Sequence, residues 1–358
     1  MYTRYALPTQ AQPVPSYGVS QLRIATFNLL HGQPLAADGS PLPFPPPAAG
    51  RECPQAADPL IEAIAELDAD VLALQEVDRY QPRSGLVDQA AAAAKAMGAT
   101  DWRFAAALHG RPAPVAGWVP DPAVPGLQVY GPGEVDAATE PPSYGTALLT
   151  RLPVRHWRAR RFAPAPFGLP LRVAGRRGLT PVPDEPRAAL AAVLEGERGP
   201  FTVVATHLSF VPGWNMAQLA GIRRWIADLP KPYLVLGDFN LIGAMPRTVL
   251  GSATALDPET ARERRSERLR RRDLRAARRM RAAQAAQAGV RRRRVREPRP
   301  RMQGWYDLAK TPTYPSHHPA VQFDHVLAIG VPRTAVGPAS APRAAVSDHR
   351  PLVVEVTL

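Results

Sequence analysis

Short apolar runs separated by polar turns, with a few amphipathic stretches between them, set the pattern of this chain. LRIATFN, residues 22 to 28, is β-branched and apolar and stops just before His31 and Gly32, as a buried strand stops at a turn. In ADPLIEAIAEL, Asp58 and Pro59 read as N-cap and first helical residue, and Leu60, Ile61, Ile64 and Leu67 form one apolar face. DADVLALQEVD predicts a strand ending near Glu76, and VDQAAAAAKAM a helix closing at Gly98. Further strands are predicted at 144 to 150, 188 to 194, 201 to 208, 233 to 240, 321 to 329 and 352 to 358. One more helix, NMAQLAGIRRWIADL, is expected to be capped by Asn215 and apolar at Met216, Leu219, Ile222, Ile226 and Leu229. Residues 33 to 57 read as loop, and residues 110 to 142, rich in Pro and Gly, as a long surface loop of the kind that frames a site. Many apolar strands with few helices predict two sheets packed face to face, with helices outside.

Composition sharpens this picture at three points. A chain of 358 residues, 45% hydrophobic and 21% charged, buries a large core, which excludes disorder throughout. The net charge of +13 suggests a nucleic-acid partner, but residues 261 to 301 hold 18 Arg, no Lys and only four acids, while the rest of the chain carries 26 basic and 27 acidic residues. The basicity therefore belongs to one segment. Residues 251 to 302 read as an insertion, helix-prone but with only Leu269, Leu274 and Met280 as larger apolar anchors, and so solvent-exposed or disordered. Such a segment either meets nucleic-acid phosphates or is a solvated loop touching nothing; it lacks the apolar face that an interfacial helix needs. The expected organisation is a flexible arm over residues 1 to 21 and a single domain over 22 to 358, interrupted at about 251 to 302. The single cysteine, Cys53, excludes an internal disulfide and a Cys-rich zinc module. No run approaches the ~20 apolar residues of a spanning helix, and the opening residues lack the apolar core of a leader, so a soluble, cytoplasmic, by default monomeric protein is expected.

Several chemistries are missing their motifs: there is no G-x-S-x-G, no P-loop, no H-E-x-x-H and no G-x-G-x-x-G after a strand. What remains is a set of polar residues at or near the ends of apolar runs: Asn28, Glu76, His207, Asp238, Asn240, Asp324, Asp348 and His349. Taken singly, each has a structural reading. Glu76 would pair with Arg79, Asp238 and Asn240 would form a turn, and His207 would be a satisfied core histidine. Together, TFNLLHG, LQEVD, YGTALLT, THL, GDFN, FDHV and SDHRPL, in this order, resemble the endonuclease/exonuclease/phosphatase superfamily of DNase I-like metal-dependent phosphoesterases. The resemblance covers most of residues 22 to 250 and 303 to 358, and neither the arm nor the arginine segment.

The resemblance implies an α/β fold, a four-layered DNase I-like sandwich of two packed mixed β-sheets flanked by helices, with a site at one edge. It also implies roles. Glu76 is the principal metal ligand, Asp348 a further ligand directly or through water, and Asn28 the amide beside them; oxygen donors without thiolate favour Mg²⁺ or Mn²⁺. Asp238 orients or deprotonates water while Asn240, two residues on and on the same side of an extended chain, holds the phosphate. His349 binds or protonates the scissile phosphate, oriented by Asp324, and His207 assists the leaving group. Arg83 and Tyr144 are weaker candidates for the substrate groove, with Asp88, Gln89 and Arg187 behind them. His31, His317 and His318 read as solvated loop histidines. The expected activity is Mg²⁺-dependent hydrolysis of phosphodiester or phosphomonoester bonds, with a nuclease-like substrate favoured. Alternatives are a phospholipid or inositol/sugar-phosphate ester, or a nucleic-acid-binding protein acting through its Arg-rich segment.

Overall fold

A computed structural model describes residues 21–44, 58–113, 117–133, 141–171, 178–255 and 304–358. One sheet contains β1 (Gln21–Asn28), β2 (Val71–Arg79), β3 (Asp101–Ala113), β4 (Gly117–Pro120), β5 (Gln128–Tyr130), β6 (Ser143–Thr150), β15 (Val336–Ser340) and β16 (Leu352–Thr357). Their spatial order is β15-β16-β1-β2-β6-β3, with β4 and β5 both on β3. The second sheet contains β7 (Val154–Phe162), β10 (Arg187–Gly196), β11 (Gly199–His207), β12 (Tyr233–Asp238), β13 (Tyr306–Asp307) and β14 (Asp324–Ile329), in the order β13-β14-β12-β11-β10-β7. A small hairpin pairs β8 (Leu169–Leu171) with β9 (Thr180–Val182). Within each sheet one pair is parallel, β1 with β2 and β11 with β12, and the other pairs are antiparallel, so both sheets are mixed.

Side-chain alternation builds four layers from these strands. Ile24, Val71, Ala73 and Leu148 from the first sheet meet Leu190, Val203, Leu234, Leu236 and Val326 from the second, forming the core between the sheets. The alternate residues Ala25, Phe27, Leu72 and Leu74 point outward, onto α1 (Pro59–Leu67) and α2 (Gln89–Met97). On the opposite side Val204, Tyr233 and Val235 pack against α3 (Trp214–Trp225) and α4 (Met245–Ala255). Strands covered on both faces read as continuous apolar runs, which is why the central strands are visible in the sequence. α1 begins as expected, with Asp58 accepting from Leu60 N and Pro59 in the first turn; α2 closes at Gly98 as expected, and the structure adds its cap, Asp88, which accepts from Ala91 N.

Several expectations are corrected. β2 runs past Glu76 to Arg79 through an irregularity in its pairing with β6 between Leu74 and Val77. α3 starts at Trp214, so Asn215 lies inside the helix instead of capping it, and Met216 faces outward. Residues 110–142 are not one loop, because β3 continues to Ala113 and β4 and β5 follow. Asp324 opens β14 and does not lie within it. Gln21, expected as the last residue of the arm, is already in β1, paired with Thr357; residues 1–20 lie outside the described residues. The start of the expected insertion completes α4; residues 256–303, with the arginine run, also lie outside the described residues. Among the described residues no helix is long and apolar enough to cross a membrane.

Candidate active site

The polar residues at the strand ends converge on one edge of the sandwich. β1 and β2 run parallel, with Asn28 opposite Gln75, and β11 and β12 run parallel with His207 opposite Asp238. All four strands therefore deliver their C-terminal ends to the same edge. β14 runs antiparallel to β12, which sets its first residue, Asp324, opposite Asp238. The SDHRP segment lies just before β16 and adds Asp348 and His349. Backbone strain marks the same place: of the non-glycine residues with left-handed φ, Leu30, His31, Glu76, Asn240 and Ser347 all belong to these segments.

One amide ties the two sheets together here. Asn28 Nδ2 donates to Glu76 Oε1 at 3.1 Å and to Asp238 Oδ2 at 3.0 Å, while its side-chain oxygen Oδ1 accepts from Leu30 N. Burial, together with the negative charges of Glu185 and Asp348, pushes the Glu76 carboxyl up to about 7, against the opposing pull of Arg187 and Asn28. The alternative reading of Glu76, an ion pair with Arg79, does not hold, since Arg79 Nε lies 2.9 Å from Asp88 Oδ2. Burial also raises the Asp348 and Asp238 carboxyls. Asp238 Oδ1 accepts from Asn240 N at 2.9 Å.

His349 and Asp324 form a buried dyad. His349 Nδ1 donates to Asp324 Oδ2 at 2.8 Å, and the same oxygen accepts from Thr313 Oγ1 at 2.5 Å. Burial alone would lower the imidazole's pKa, but the charge and hydrogen bond of Asp324, with Asp238 and Asp348 behind them, carry it up to about 10. Nε2 lies 3.8 Å from Asp238 Oδ2. Ligand-type atoms of Asp238, Asp324 and His349 fall within 4.8 Å of one another. The imidazolium is itself the cation of that trio, so we read it as a proton-holding group rather than a metal cage.

His207 faces the same oxygen of Asp238 as His349 does. Its Nε2 is 3.7 Å from Asp238 Oδ2 and 3.4 Å from Asn240 Nδ2, and Arg187 Nη1 lies 2.8 Å from Nδ1. Burial, then Arg187 and His349, hold its pKa well below the ordinary histidine value. Asn240, at φ 49°, is fixed by donation from Nδ2 to Leu208 O and by Asn215 Nδ2 donating to its carbonyl, each at 3.0 Å. Gly237, before Asp238, has φ 144°, and a Cβ there would stand 1.8 Å from Thr206 O of the neighbouring strand. Gly237→Ala is therefore expected to destabilise the protein by roughly 2–4 kcal/mol, read as a lower urea midpoint. A midpoint within experimental error of wild type would contradict this packing.

A cavity of about 930 Å³ opens beside the site, with Glu76, Arg83, Trp118, Tyr144, Glu185 and Arg187 in its walls. Arg83 makes two hydrogen bonds to Asp78, each at 2.8 Å, and its guanidinium lies over the rings of Trp118 and Tyr144. His31 is corrected: it lines the cavity, and burial followed by the charge of Arg83 pushes it down to about 3. His317 and His318 are exposed, as expected. The structure adds Glu185 and Trp118, which the sequence reading missed because neither carries a local motif, and brings in Arg187, there only a minor candidate.

Beneath the GDFN segment, His325 Nδ1 lies 2.6 Å from Asp307 Oδ2, and Nε2 donates to Leu241 O at 2.9 Å. Burial works against its charge, but Asp307, with Leu241 O and Asp324, raises its pKa above the ordinary value. A histidine raised on folding stabilises fully below its unfolded pKa of about 6.5, and that stability is lost as pH climbs through the folded value. The difference in urea midpoint between wild type and Asp307→Asn is thus expected to be largest near pH 6 and to shrink in more alkaline buffer. A constant difference would contradict a charged pair.

The chain's resemblance in sequence can now be set beside this geometry. The sequence pattern of the endonuclease/exonuclease/phosphatase family matches residues 25–349, and the chain belongs to that family. Its members are hydrolases that act on phosphoester bonds. Similar solved structures include an endonuclease/exonuclease/phosphatase from Beutenbergia cavernae, 18% identical, covering 94% of this chain and 72% of that one at a TM-score of 0.46. A family protein from Leptotrichia buccalis is 12% identical, with 94% and 100% covered and a TM-score of 0.48. A mannosyl-6-phosphatase of Bacteroides thetaiotaomicron is also 12% identical, with 94% and 100% covered and a TM-score of 0.42. No curated protein matches the chain.

Proposed function

We propose that the protein is a Mg²⁺-dependent phosphoesterase that hydrolyses phosphoester bonds by attack of water. The observation that carries this reading is the single amide of Asn28 joining Glu76 to Asp238, with the His349–Asp324 dyad facing the same carboxylate.

The residues present fit a hard divalent cation. Glu76 is a half-buried carboxylate with other negative groups near it, an arrangement that raises its proton affinity and that a cation would relieve. Glu76 and Asp348 would hold the ion, Mg²⁺ or Mn²⁺, beside the Asn28 amide, and its contribution would be charge neutralisation at the phosphoryl oxygens. The other steps belong to the chain. Asp238, raised by burial and held through both oxygens, is placed to orient the attacking water and take its proton. His349, kept protonated by Asp324, donates from Nε2 to a phosphoryl oxygen. Asn240 contributes its amide to the phosphate, and His207 stands at the leaving-group side. Arg83 and Tyr144 line the cavity that receives the rest of the substrate.

A nucleic-acid phosphodiester is the favoured substrate, supported by the 18 arginines of residues 261–301. A second reading, a small phosphate ester or a phospholipid head group, is favoured by the cavity, whose volume falls in the range of small-molecule sites. The lone cysteine suits the reducing cytoplasm, where we place the reaction. Cleavage of end-labelled single- and double-stranded DNA and RNA at low salt, with Mg²⁺ or EDTA and His349→Ala as control, separates the two. Metal-dependent cleavage lost in the variant supports a nuclease. Intact nucleic acid, with hydrolysis of small phosphate esters under the same conditions, selects the second reading, and inertness toward both classes overturns the proposal.

A further inference from the structure

Tyr314, between β13 and β14, is an aromatic side chain at the catalytic edge that takes no part in the proposed acid-base steps. It is half-buried, and its ring stands 5.1 Å from the His349 imidazole, centroid to centroid, at an interplanar angle of 53°. Phe323 packs on both, 5.5 Å from the Tyr314 ring and 6.4 Å from the imidazole. An imidazolium gains from rings so placed.

The backbone around Tyr314 is fastened on both sides to the groups of the site. Thr313 Oγ1 donates to Asp324 Oδ2, and Thr313 O accepts from Arg350 N at 2.8 Å. Beyond Tyr314, Ser316 N donates to Asp348 O at 2.6 Å and Ser316 Oγ to Ser347 O at 2.8 Å. Tyr314 N donates to Val321 O at 3.0 Å, and Tyr314 O accepts from Val321 N at 2.9 Å. The ring is therefore carried on one hydrogen-bonded unit with Asp348 and His349.

The packing gives the hydroxyl no task. Among the described residues it has no hydrogen-bond partner, whereas the hydroxyls of Tyr233 and Tyr306 donate to backbone carbonyls. Phe323 shows that a ring without a hydroxyl serves the same contact with His349. Burial, then the negative charges of Asp348 and Asp238, raise the Tyr314 pKa above the ordinary tyrosine value, so at neutral pH the group is a protonated donor. Those carboxylates lie beside the space where a phosphate would meet His349 Nε2. A donor left open there suits an incoming acceptor, and the acceptor this site would receive is a phosphoryl oxygen.

We propose that Tyr314 is a further substrate-contacting residue, whose hydroxyl donates a hydrogen bond to a phosphoryl oxygen of the bound ester while its ring braces the His349 imidazolium. The identity of the acceptor rests on the phosphoesterase reading; the placement of the ring does not. No proton is transferred: the tyrosine stays neutral and adds a second donor, beside His349, for the charge on the phosphoryl oxygens.

Tyr314→Phe keeps the ring and removes only the hydroxyl. Binding of inorganic phosphate to the full chain with Mg²⁺, measured by calorimetry, is expected to be roughly ten- to hundred-fold weaker in the variant, as one hydrogen bond to a charged acceptor implies. The urea midpoint should stay at the wild-type value, because no protein group loses a partner. The nitrogen-15 resonances of the His349 ring, assigned by their loss in His349→Ala, should show the same protonation state in both proteins. Equal phosphate affinity of wild type and variant, or no binding by either, overturns the proposal. A lower urea midpoint or a deprotonated His349 in the variant also overturns it, since the hydroxyl would then act through the fold or through the imidazole. Because binding is read without turnover, weaker phosphate binding by the variant of a protein that hydrolyses no ester would contradict the phosphoesterase reading and leave this contact standing.

Discussion

Asp238→Asn is expected to lower kcat by a factor of roughly 10²–10⁴ with little change in the urea midpoint. The substitution keeps the side chain's size and an oxygen for Asn240 N, so the turn at the end of β12 is preserved. It removes the carboxylate that faces His349 Nε2 and His207 Nε2, and with it the group placed to accept a proton from water. An amide has negligible basicity, so the loss should fall on kcat and not on KM. His349→Ala is expected to lose as much activity but is a less clean test. It leaves Asp324, fully buried, with Thr313 Oγ1 as its remaining hydrogen-bond donor, so part of the effect would be lost stability. Full activity in Asp238→Asn would sink the assignment of this carboxylate.

The second large effect concerns Glu76, and it has opposite signs with and without metal. An acid whose pKa rises from 4.5 unfolded to about 7 folded binds more protons in the native state. Its contribution to stability therefore falls as pH rises through that window, and above pH 7 the charged carboxylate is a burden on the metal-free fold. Glu76→Gln, which keeps an acceptor for Asn28, is expected to stabilise the metal-free protein at about pH 8 by an amount on the order of 2–3 kcal/mol. Mg²⁺ should then raise the melting temperature of the wild type and have little effect on the variant. The same variant should need at least ten-fold more Mg²⁺ for half-maximal hydrolysis. Equal thermal responses of the two proteins to Mg²⁺ would contradict Glu76 as a ligand.

How much of this was legible in the sequence differs by element. β1, α1, β2 and α2 follow directly from apolar runs, an Asp-Pro start and a closing glycine, because each is specified by local chemistry and by burial on one or both faces. β7, VRHWRARRF, escaped the pattern because it is an edge strand whose arginines and histidine stay in contact with solvent. β4 and β5 escaped because they are short and lie among prolines and glycines, where periodicity has no length to develop. The strand-end carboxylates and histidines were legible as motifs, since the chemistry confines them to turns beside apolar runs. Their pairing was not. That Asn28 spans both sheets, and that Arg187 rather than a carboxylate faces His207, depends on strand order and on residues far apart in the chain. Asn215 shows the same limit: a residue with a capping signature turns inward to hold Asn240, because tertiary contact overrides local preference.

The most direct test of the central claim is the initial rate of hydrolysis of bis(p-nitrophenyl) phosphate by wild type and Asp238→Asn, each with Mg²⁺ and with EDTA. The account predicts turnover by the wild type with Mg²⁺, and loss of at least 99% of it on chelation or on substitution, as follows from a factor of about 10² or more. Turnover that persists in EDTA, or equally in Asp238→Asn, would contradict a metal-dependent phosphoesterase centred on these residues.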